Sequence, residues 1–488
     1  MPNQNPFERA ASSGKRSTTP MELSVFPCNI VVQNQMCVGC GVCAGVCPLG
    51  FLRMEFNSYG EYQPVPTKTG CLKCGLCLKL CPFAPENVPN EDALGAQLFS
   101  TYPGIRHSSA IGYYLACYVG HVAEPELRWS RSSGGLASWL LASLLQRGVV
   151  DAIWCVIQTS DKEKRFTYAR LTDPAQVWQA SKSAYYPVEV SSLLGELQNA
   201  NEKVAVIGLP CFIKGLRKAM MYIPHLQRRI LIIAGLVCGQ CKSKYFCDYL
   251  IRRAGLSESE VITVSFREKL QNQPSHNFAF AAQTSSNKKL LAWSQGYGYA
   301  WTHDYFKINA CNYCDDLFAE LADVSFMDAW LSEYSNHPEG TSIIVIRNPY
   351  VQHVFERGVQ AGELCLKSID PERVVASQKE GLHSKRRLLA IRLALKQTHT
   401  SEWPWVKRVR PADRAHWWER VLVRSRMRAM RLSKIAFQEQ KAIGPGLRHF
   451  GRRMRRGMLW VYAFELMMQV IQLSRSVVQK ILRTFGLR

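Results

Sequence analysis

Apolar and polar positions between residues 110 and 383 follow the pattern of strands alternating with helices. Short apolar runs bounded by Gly or Pro predict strands, and amphipathic stretches between them predict helices. The predicted strands lie at 113–122, 151–158, 203–208, 228–237, 261–266 and 341–347, and the predicted helices lie at 134–148, 212–222 and 244–255. This alternation indicates an α/β domain with a largely buried sheet.

Two cysteine runs with one shared spacing precede this region. CVGCGVCAGVCP at 37–48 and CLKCGLCLKLCP at 71–82 each read C-x2-C-x2-C-x3-C-P, the run of bacterial two-cluster ferredoxins. The fourth cysteine of each run ligates the other cluster. The spacing therefore assigns Cys37, Cys40, Cys43 and Cys81 to one 4Fe–4S cluster, and Cys71, Cys74, Cys77 and Cys47 to the second. A zinc ribbon, the alternative for four thiolates, would need two CxxC pairs instead.

Composition favours metal ligation inside the cell. The chain has 488 residues, enough for two or three domains, and 18 cysteines. Its N-terminal segment MPNQNPFERAASSGKRSTTP is polar and has no apolar core of a secretory signal. No uninterrupted apolar run is as long as a membrane-spanning helix requires. Many cysteines without an export signal favour metal ligation in a reducing cytoplasm over a disulfide framework.

Three loops of the α/β region carry cysteine close to predicted strand ends, where such sheets place their sites. GLPCFIKGLRK contains Cys211, GLVCGQCKS contains Cys238 and Cys241, and CNYCDD contains Cys311 and Cys314. Each alone is better explained as a buried structural thiol than as a ligand, and a lone CxxC also fits a redox pair or half of a zinc site. Two single cysteines and a CxxC together supply the four thiolates that a third cluster needs.

The order of these motifs resembles that of a known family. RSSGGLAS, GLPCFIKGLRK, GLVCGQCKS, SFREK and CNYCDDLFAELADVSFMDAW are similar to segments of the beta subunit of coenzyme F-420 hydrogenase/dehydrogenase and of the related 7-hydroxymethyl chlorophyll a reductase. The resemblance covers roughly residues 25 to 350 and implies a non-covalent FAD beside a 4Fe–4S cluster. It places the ligands of that cluster on Cys211, Cys238, Cys311 and Cys314, and leaves Cys241 as a bystander.

The resemblance also implies where the flavin binds. Hydroxyls and backbone amides of RSSGG, at the start of a predicted helix, suit a phosphate, although an ordinary helix N-cap explains the same residues. Lys182 matches a flavin-proximal lysine, but Ser183 stands where the family has tyrosine. Arg267 fits either a contact with an anionic cofactor or a salt bridge. The implied FAD contacts are Ser132, Ser133, Gly134, Gly135, Lys182 and Arg267.

Most of the charge lies in the tail that follows. From Ser384 onward there are 25 Lys and Arg against five Asp and Glu, a net charge of +20 out of +23 for the whole chain. A basic amphipathic helix suits an anionic membrane surface, and packing on the core or on a partner helix is the alternative. Nucleic acid is the least favoured partner because no recognised binding motif is present. One apolar stripe at helical spacing contains Trp460, Phe464, Met467, Ile471, Val478, Ile481 and Phe485.

These features predict a cytoplasmic iron–sulfur flavoprotein oxidoreductase, peripheral at the inner face of the membrane where the tail binds lipid. Its predicted cofactors are three 4Fe–4S clusters and FAD, with coenzyme F-420 as a candidate hydride partner and a ferredoxin or another redox protein as electron partner. A non-catalytic electron-transfer or redox-sensing module that docks on a membrane-associated partner, for example in polysaccharide biosynthesis, is the alternative. The predicted segments are a flexible N-terminus at 1–27, an α+β ferredoxin-like domain at 28–95, an α/β flavin and iron–sulfur domain at 96–383, and a basic, mostly helical tail at 384–488.

Overall fold

The structure is a computed structural model that describes residues 26–67, 70–84, 89–180, 182–397, 408–459 and 461. Nearly all of the predicted flexible N-terminus, and the predicted apolar stripe between Trp460 and Phe485, lie outside the described residues. Among the helices of the described ranges, none has both the length and the apolar character needed to cross a membrane.

Fifteen strands in the described residues form one large sheet and three small ones. The strands are β1 Leu52–Phe56, β2 Tyr62–Pro66, β3 Arg106–Ser108, β4 Gly112–Tyr114, β5 Ala116–Val122, β6 Ala152–Gln158, β7 Phe166–Leu171, β8 Val204–Gly208, β9 Ile230–Leu236, β10 Thr263–Glu268, β11 Ala279–Gln283, β12 Lys288–Ala292, β13 Val324–Asp328, β14 Ser342–Ile346 and β15 Leu364–Ser368. The large sheet has the order β15-β5-β14-β13-β9-β8-β6-β7. Strands β6, β8, β9 and β13 pair in parallel, and the flanking strands on both sides are antiparallel. The parallel centre is buried on both faces, as its near-continuous Val and Ile runs require.

Helices cover both faces of the large sheet and form the C-terminal part. They are α1 Asn29–Gln33, α2 Val42–Gly45, α3 Leu76–Lys79, α4 Glu91–Phe99, α5 Pro125–Ser130, α6 Leu136–Gln146, α7 Pro174–Gln179, α8 Ser191–Asn199, α9 Pro210–Tyr222, α10 Pro224–Arg229, α11 Lys244–Arg253, α12 Tyr297–Thr302, α13 Ser332–Ser335, α14 Pro349–Gln360, α15 Pro371–Ser377, α16 Lys379–Lys385, α17 Arg387–Gln397 and α18 Trp417–Ile443. A strand or helix is present at every place where the α/β pattern predicts one. The fold is therefore mixed α/β, as predicted, and β10 belongs to a separate sheet of order β10-β11-β12.

The N-terminal cysteine region packs directly against the α/β region. Its short helix α2 lies next to α8 and α9, and Lys79 of α3 lies over the ring of Tyr222 at the end of α9. The turn of the hairpin β1–β2 contacts α11, where the Lys244 amide donates to the Gly60 carbonyl at 2.8 Å. Gly45 at the end of α2 contacts Ser191 and Leu194, and the Val190 amide donates to the Cys40 carbonyl at 2.9 Å. Contacts this close hold the two regions in a fixed arrangement.

The described part of the basic tail also packs on the core. Leu389, Leu393 and Phe437 are buried in the same apolar cluster as the α/β residue Phe306. The ring of Phe306 stacks on that of Phe450 with centroids 5.9 Å apart. The predicted boundary between 383 and 384 falls within α16. For these residues the structure shows packing on the core, one of the alternatives that the sequence left open.

Candidate functional site

The eight cysteines of the two N-terminal runs surround two separate cavities. One cavity is lined by Cys37, Cys40, Cys43 and Cys81, and the other by Cys47, Cys71, Cys74 and Cys77. These are the two interleaved sets that the spacing predicts, with the fourth cysteine of each run crossing to the other set. The remaining lining is almost entirely apolar, which suits a cluster shielded from water.

Glycines give the first cysteine run its tight path. Gly39 and Gly41 have φ values of +75° and +82°, in the left-handed region that residues with a Cβ avoid. A Cβ at position 41 would also collide with the Glu189 carboxylate and the Val190 amide. The run therefore depends on glycine both for its own turn and for its contact with the α/β region.

Cys28 lies outside the cysteine spacing pattern but within the same region of the fold. It is buried, and its thiol is in hydrogen-bonding contact with Cys43 and Cys77, one member of each predicted set. Contact with Cys28 lowers the pKa of the Cys77 thiol to about 7. The two sets are thus separated by a single thiol.

A third group of thiols forms where three loops meet. Cys211 lies in the first turn of α9 after β8, and Cys238 follows β9. Cys311 lies in the short helix Asn309–Tyr313, and Cys314 comes directly after it. The Lys385 ammonium is within electrostatic range of Cys314, Cys238 and Cys311. The structure therefore brings together residues up to about a hundred positions apart, as the third predicted cluster requires.

Cys241, predicted to be a bystander, is part of this third group. Its thiol is in hydrogen-bonding contact with Cys211, Cys238 and Cys311, and its amide donates to Cys311 Sγ at 3.2 Å. Contact with Cys241 lowers the pKa of Cys311 to about 6 and also lowers that of Cys238. Five thiols, rather than four, are available at this site.

Buried cations surround the third group. Lys242 and Lys307 are each 2% exposed and lie on the segments that carry Cys241 and Cys311. Burial lowers the pKa of Lys242 to about 7 and that of Lys307 to about 8. Burial also opposes the charge of Lys385, yet Cys314, with its Sγ 3.0 Å from Lys385 Nζ, and the neighbouring thiols raise the pKa of that lysine. Such a setting suits a group with negative charge.

No group of three or more His, Cys, Asp or Glu side chains in the described ranges is arranged to hold a single metal ion. A 4Fe–4S cubane makes a different demand, because each of its four irons takes one thiolate. The thiols then stand around a space rather than converging on a point. The two cysteine-lined cavities fit that demand, and the third group offers five thiols for the four irons of a cluster.

The third group lies next to the first N-terminal set. The pKa of the Cys40 thiol is raised by burial and by Cys43 and Cys81, and Cys211 adds to the effect, so Cys40 is within electrostatic range of Cys211. Lys218 of α9 also reaches back, with its Nζ 3.3 Å from the Cys81 carbonyl. The thiol groups thus form a series: the Cys47 and Cys71–Cys77 set, the Cys37 set, and the loop group.

A cleft of about 590 Å³ opens between strands β6 and β7 of the large sheet and the small sheet β10-β11-β12. Sites for small molecules typically have volumes of roughly 300–1,000 Å³. Arg131, Lys182 and Lys288 bring positive charge to its lining, and the Glu268 carboxylate, which pairs with both lysines, offsets part of that charge. The buried Nε2 of Gln158, also in the lining, has no hydrogen-bond partner among the described residues. A polar, anionic ligand fits this surface.

The predicted flavin contacts of the RSSGG segment lie next to this cleft, but the hydroxyls of Ser132 and Ser133 already form hydrogen bonds within the protein. Ser132 Oγ accepts from Ser183 Oγ at 3.0 Å, and Ser183 lines the cleft. Ser133 Oγ donates to the Thr341 carbonyl.

The two glycines serve the packing of α6. The Gly134 amide donates to Ser342 Oγ at 3.0 Å, and a Cβ at position 134 would collide with the Gly120 carbonyl. Gly135, at φ +83°, begins α6 without a side-chain cap. In this structure the Gly134 amide is already used, and close packing on the sheet explains why glycine stands there.

Of the two predicted basic contacts, only Lys182 lines the cleft. Its Nζ lies 3.5 Å from Glu268 Oε2. Arg267 instead forms the salt bridge that was its alternative explanation, with Nη1 2.6 Å from Asp328 Oδ2. Its guanidinium lies over the rings of Phe278 and Trp330.

Aromatic side chains connect the cleft to the third thiol group. Phe166, in the cleft lining, packs on Phe266 with centroids 5.9 Å apart, and Phe266 packs on Tyr185 at 5.6 Å. Tyr185 packs on Trp301 at 4.4 Å, and the Trp301 carbonyl accepts from Gln240 in the cysteine loop. The cleft and the thiols therefore share one packed core.

Comparisons with known proteins agree with this architecture. Residues 117–195 match the family described as coenzyme F420 hydrogenase/dehydrogenase, beta subunit N-term, and residues 201–372 match the C terminus of the same subunit. Residues 36–84 match the 4Fe-4S dicluster domain. The chain belongs to the coenzyme F420 hydrogenase/dehydrogenase beta-subunit family and carries an N-terminal dicluster domain.

Several relatives show the extent of the similarity. The chain is 22% identical to the coenzyme F420 hydrogenase subunit beta of Methanothermobacter thermautotrophicus over 55% of its own length and 93% of that protein. It is 25% identical to the coenzyme F420-dependent sulfite reductase of Methanocaldococcus jannaschii over 65% of its length, and spans 45% of that enzyme. A chain of the F420-reducing [NiFe] hydrogenase complex from Methanosarcina barkeri aligns with 18% identity and a TM-score of 0.46, covering 60% of this chain and 96% of that one.

Sequence reasoning missed some residues of the site. Arg131 opens the RSSGG motif and could have been included from its charge. Cys241 stands three positions from Cys238, so its CxxC spacing was visible. Lys385 lies in a run of basic residues that looks like a solvated surface. Nothing local distinguishes it from its neighbours.

Proposed function

We propose that the protein is an iron–sulfur flavoprotein oxidoreductase that passes electrons between three 4Fe–4S clusters and FAD, to or from an organic substrate or coenzyme F-420. The observation that carries this proposal is the series of three thiol groups that ends beside a cationic cleft. Bound clusters would supply single-electron transfer, and FAD would exchange two electrons as hydride with its substrate.

In this proposal the cysteines of the two N-terminal cavities each hold one cluster, and Cys211, Cys238, Cys311 and Cys314 hold the third. The apolar cavity walls would limit the access of water to the first two sites. The electrostatic effect of Cys211 on Cys40 supports a short separation between the second and third sites, which direct electron transfer would need.

FAD is proposed to bind in the 590 Å³ cleft. Arg131 and Lys182 would neutralise its phosphates, with the first turn of α6 and Ser132 nearby. The aromatic contacts from Phe166 to Trp301 would keep the path towards the thiol group dry. The relatives named for coenzyme F420 suggest that this deazaflavin is the hydride partner.

Electrons are proposed to enter from a redox partner protein at the outer N-terminal site. Cys74 is exposed, and Leu72 beside it is 63% exposed, so this cavity reaches the surface. An apolar rim of this kind suits a transient protein contact.

The tail is proposed to face an anionic surface at the inner side of the membrane, with the protein in the cytoplasm. Exposed arginines recur along one face of α18, at positions 420, 424, 428 and 431. Each would add on the order of 1 kcal/mol near anionic lipid, attenuated by salt. Co-sedimentation with anionic vesicles should fall when Arg424 and Arg428 are both changed to Glu, and binding that survives this change would argue against the surface.

The central test is anaerobic purification followed by quantification of iron, sulfide and flavin. We expect about twelve iron atoms, four for each cluster, and one FAD per chain. Lys182→Ala together with Arg131→Ala should lower flavin content, whereas Lys289→Ala, an exposed neighbour outside the cleft, should not.

Turnover decides between the two candidate functions. Reduced F-420 and NAD(P)H should be tried as donors with an artificial acceptor. A fully loaded protein that oxidises neither would favour the electron-transfer or sensing module. A protein with eight irons and no flavin would contradict the proposal.

A further inference from the structure

Lys385 is a lysine of the C-terminal part buried at the third thiol group. It is the last residue of α16 and only 3% exposed. Its Nζ lies 3.0 Å from Cys314 Sγ, within hydrogen-bonding distance for a sulfur acceptor. A charged side chain is rarely this buried without a partner, and here the partner is a predicted cluster ligand.

The surroundings of Lys385 hold it in this place. Gly381 of the same helix lies against Leu317, just beyond the CxxC. Arg392 donates to the Ser384 carbonyl at 3.1 Å and to the Asn312 carbonyl, between the two cysteines of the CxxC, at 3.2 Å. Contacts on the N-terminal and C-terminal sides of Lys385 therefore hold the end of α16 against the loop that carries the CxxC.

Other buried lysines of the region face oxygen. Lys242 Nζ lies 2.8 Å from the Tyr305 carbonyl, Lys307 pairs with Asp304 at 3.3 Å, and Lys214 pairs with Glu91 at 3.0 Å. Lys218, beside the first N-terminal set, reaches the Cys81 carbonyl rather than its sulfur. Lys385 differs from these four because its ammonium is directed at a thiol.

We propose that Lys385 is a positioning residue for the third cluster, and that its charge and its N–H···S contact raise the reduction potential of that cluster. The proposal rests on the proposed function, in which Cys314 is a ligand. Reduction adds negative charge, and a cation in a low-dielectric interior stabilises the reduced form more than the oxidised form. Net charge and hydrogen bonds to the sulfurs are known determinants of cluster potential.

The consequence is a direction for electron flow. A higher potential at the third group draws electrons from the adjacent Cys37 set, where Lys218 lies within electrostatic range of the Cys81 thiol but donates to the Cys81 carbonyl rather than to its sulfur. A segment outside the family match at residues 201–372 thereby influences the site inside it.

The test is a redox titration of the whole, cluster-loaded protein, following each cluster by EPR. The variants are Lys385→Arg, which keeps charge and donor, Lys385→Gln, which keeps a donor only, and Lys385→Met, which keeps neither. We expect the midpoint potential of one cluster to fall in the Gln and Met variants by at least the equivalent of a tenfold change in the reduction equilibrium, about 59 mV for one electron. The other two potentials, and the Arg variant, should stay close to wild type.

Lys441→Met is the matched control, since Lys441 pairs with Asp248 and not with a thiol. An unchanged potential in Lys385→Met with full iron content would overturn the proposal, as would equal shifts in the Met and Arg variants. Loss of one cluster in Gln and Met but not in Arg would support a requirement for the charge, and loss in all three would make the role purely structural. A wild-type protein with eight irons would instead refute the third cluster of the proposed function.

Discussion

The N-terminal region and the α/β region gather their thiols in different ways. Eight cysteines of the first region lie within 45 consecutive positions, and left-handed glycines shape the path between them. The third group draws on three distant loops and on a lysine from the C-terminal part. The first arrangement is built from local geometry, and the second depends on the whole fold. Damage far from the third group should therefore affect it, whereas the N-terminal sets should respond mainly to changes within their own runs.

The largest expected effect is the selective loss of the third cluster. Cys311→Ser should remove about four of twelve irons and uncouple flavin reduction from the N-terminal clusters, because a serine hydroxyl is a poor ligand for iron. Cys155→Ser, at a buried thiol outside all three groups, should keep the full iron content. Iron analysis and EPR check both variants, and three intact signals in Cys311→Ser would show that this CxxC is structural.

A second pair of variants asks which thiol is the fourth ligand. Cys314→Ser should lose the third cluster, while Cys241→Ser should retain the iron and change only the EPR line shape, because its thiol lies beside the ligands. The reverse pattern of iron contents would assign the site to Cys211, Cys238, Cys241 and Cys311 and leave Cys314 as the partner of Lys385.

A third effect concerns Arg408, which links the C-terminal part to the α/β region and to α4. Arg408 donates to Glu320 at 2.6 Å and to Asp92 at 2.9 Å, and its amide donates to Asp315. Breaking a buried ion pair from one side costs about 3–5 kcal/mol, so Arg408→Ala should lower the free energy of unfolding by that amount.

The exposed pair of Arg453 and Glu439 provides the control for this effect. Arg453→Ala should cost no more than about 1 kcal/mol, the usual limit for surface pairs. Urea denaturation of both variants checks the difference. Equal losses of unfolding free energy in the two variants would mean that the ion pairs of Arg408 contribute no more to stability than an exposed surface pair.

The smallest expected effect separates turn geometry from packing within the N-terminal region. Gly75 has φ +74° with open space around it, whereas a Cβ on Gly41 would meet Glu189 and Val190. Gly75→Ala should cost about 1–2 kcal/mol from the left-handed backbone alone, and Gly41→Ala should cost more. If denaturation gave similar losses of unfolding free energy for the two variants, Glu189 and Val190 would be shown to accommodate a Cβ at position 41 at little cost.

Local patterns predicted the local parts of the molecule. The C-x2-C-x2-C-x3-C-P runs predicted the two interleaved cysteine sets, and the alternation of apolar runs predicted the α/β fold. The apolar pattern does not predict strand β7, because FTYARL mixes polar and apolar positions at an edge of the sheet. Edge strands are buried on one side only and lack a continuous apolar run.

Long-range contacts could not be predicted in the same way. Arg267 fitted two explanations until the position of Asp328 was known, and the two residues are 61 positions apart. Gly134 looked like a phosphate contact because its packing against Gly120 and Ser342 depends on the sheet. The neighbouring sequence does not distinguish Lys385 from the other basic residues of the tail, because the fold and not the local pattern buries it.

The contact between Lys385 and Cys314 also has a consequence for how the protein is made. Chains fold from the N-terminus as they are synthesised, and both ferredoxin-type runs are complete by residue 82. Cys211 and the CxxC emerge much later, and the helix that covers them ends at residue 385. Under the proposed function, iron–sulfur assembly would meet the sites in sequence, and the third would stay open to a cluster donor until about four fifths of the chain had been made. Maturation of the proposed holoprotein would then end at this site.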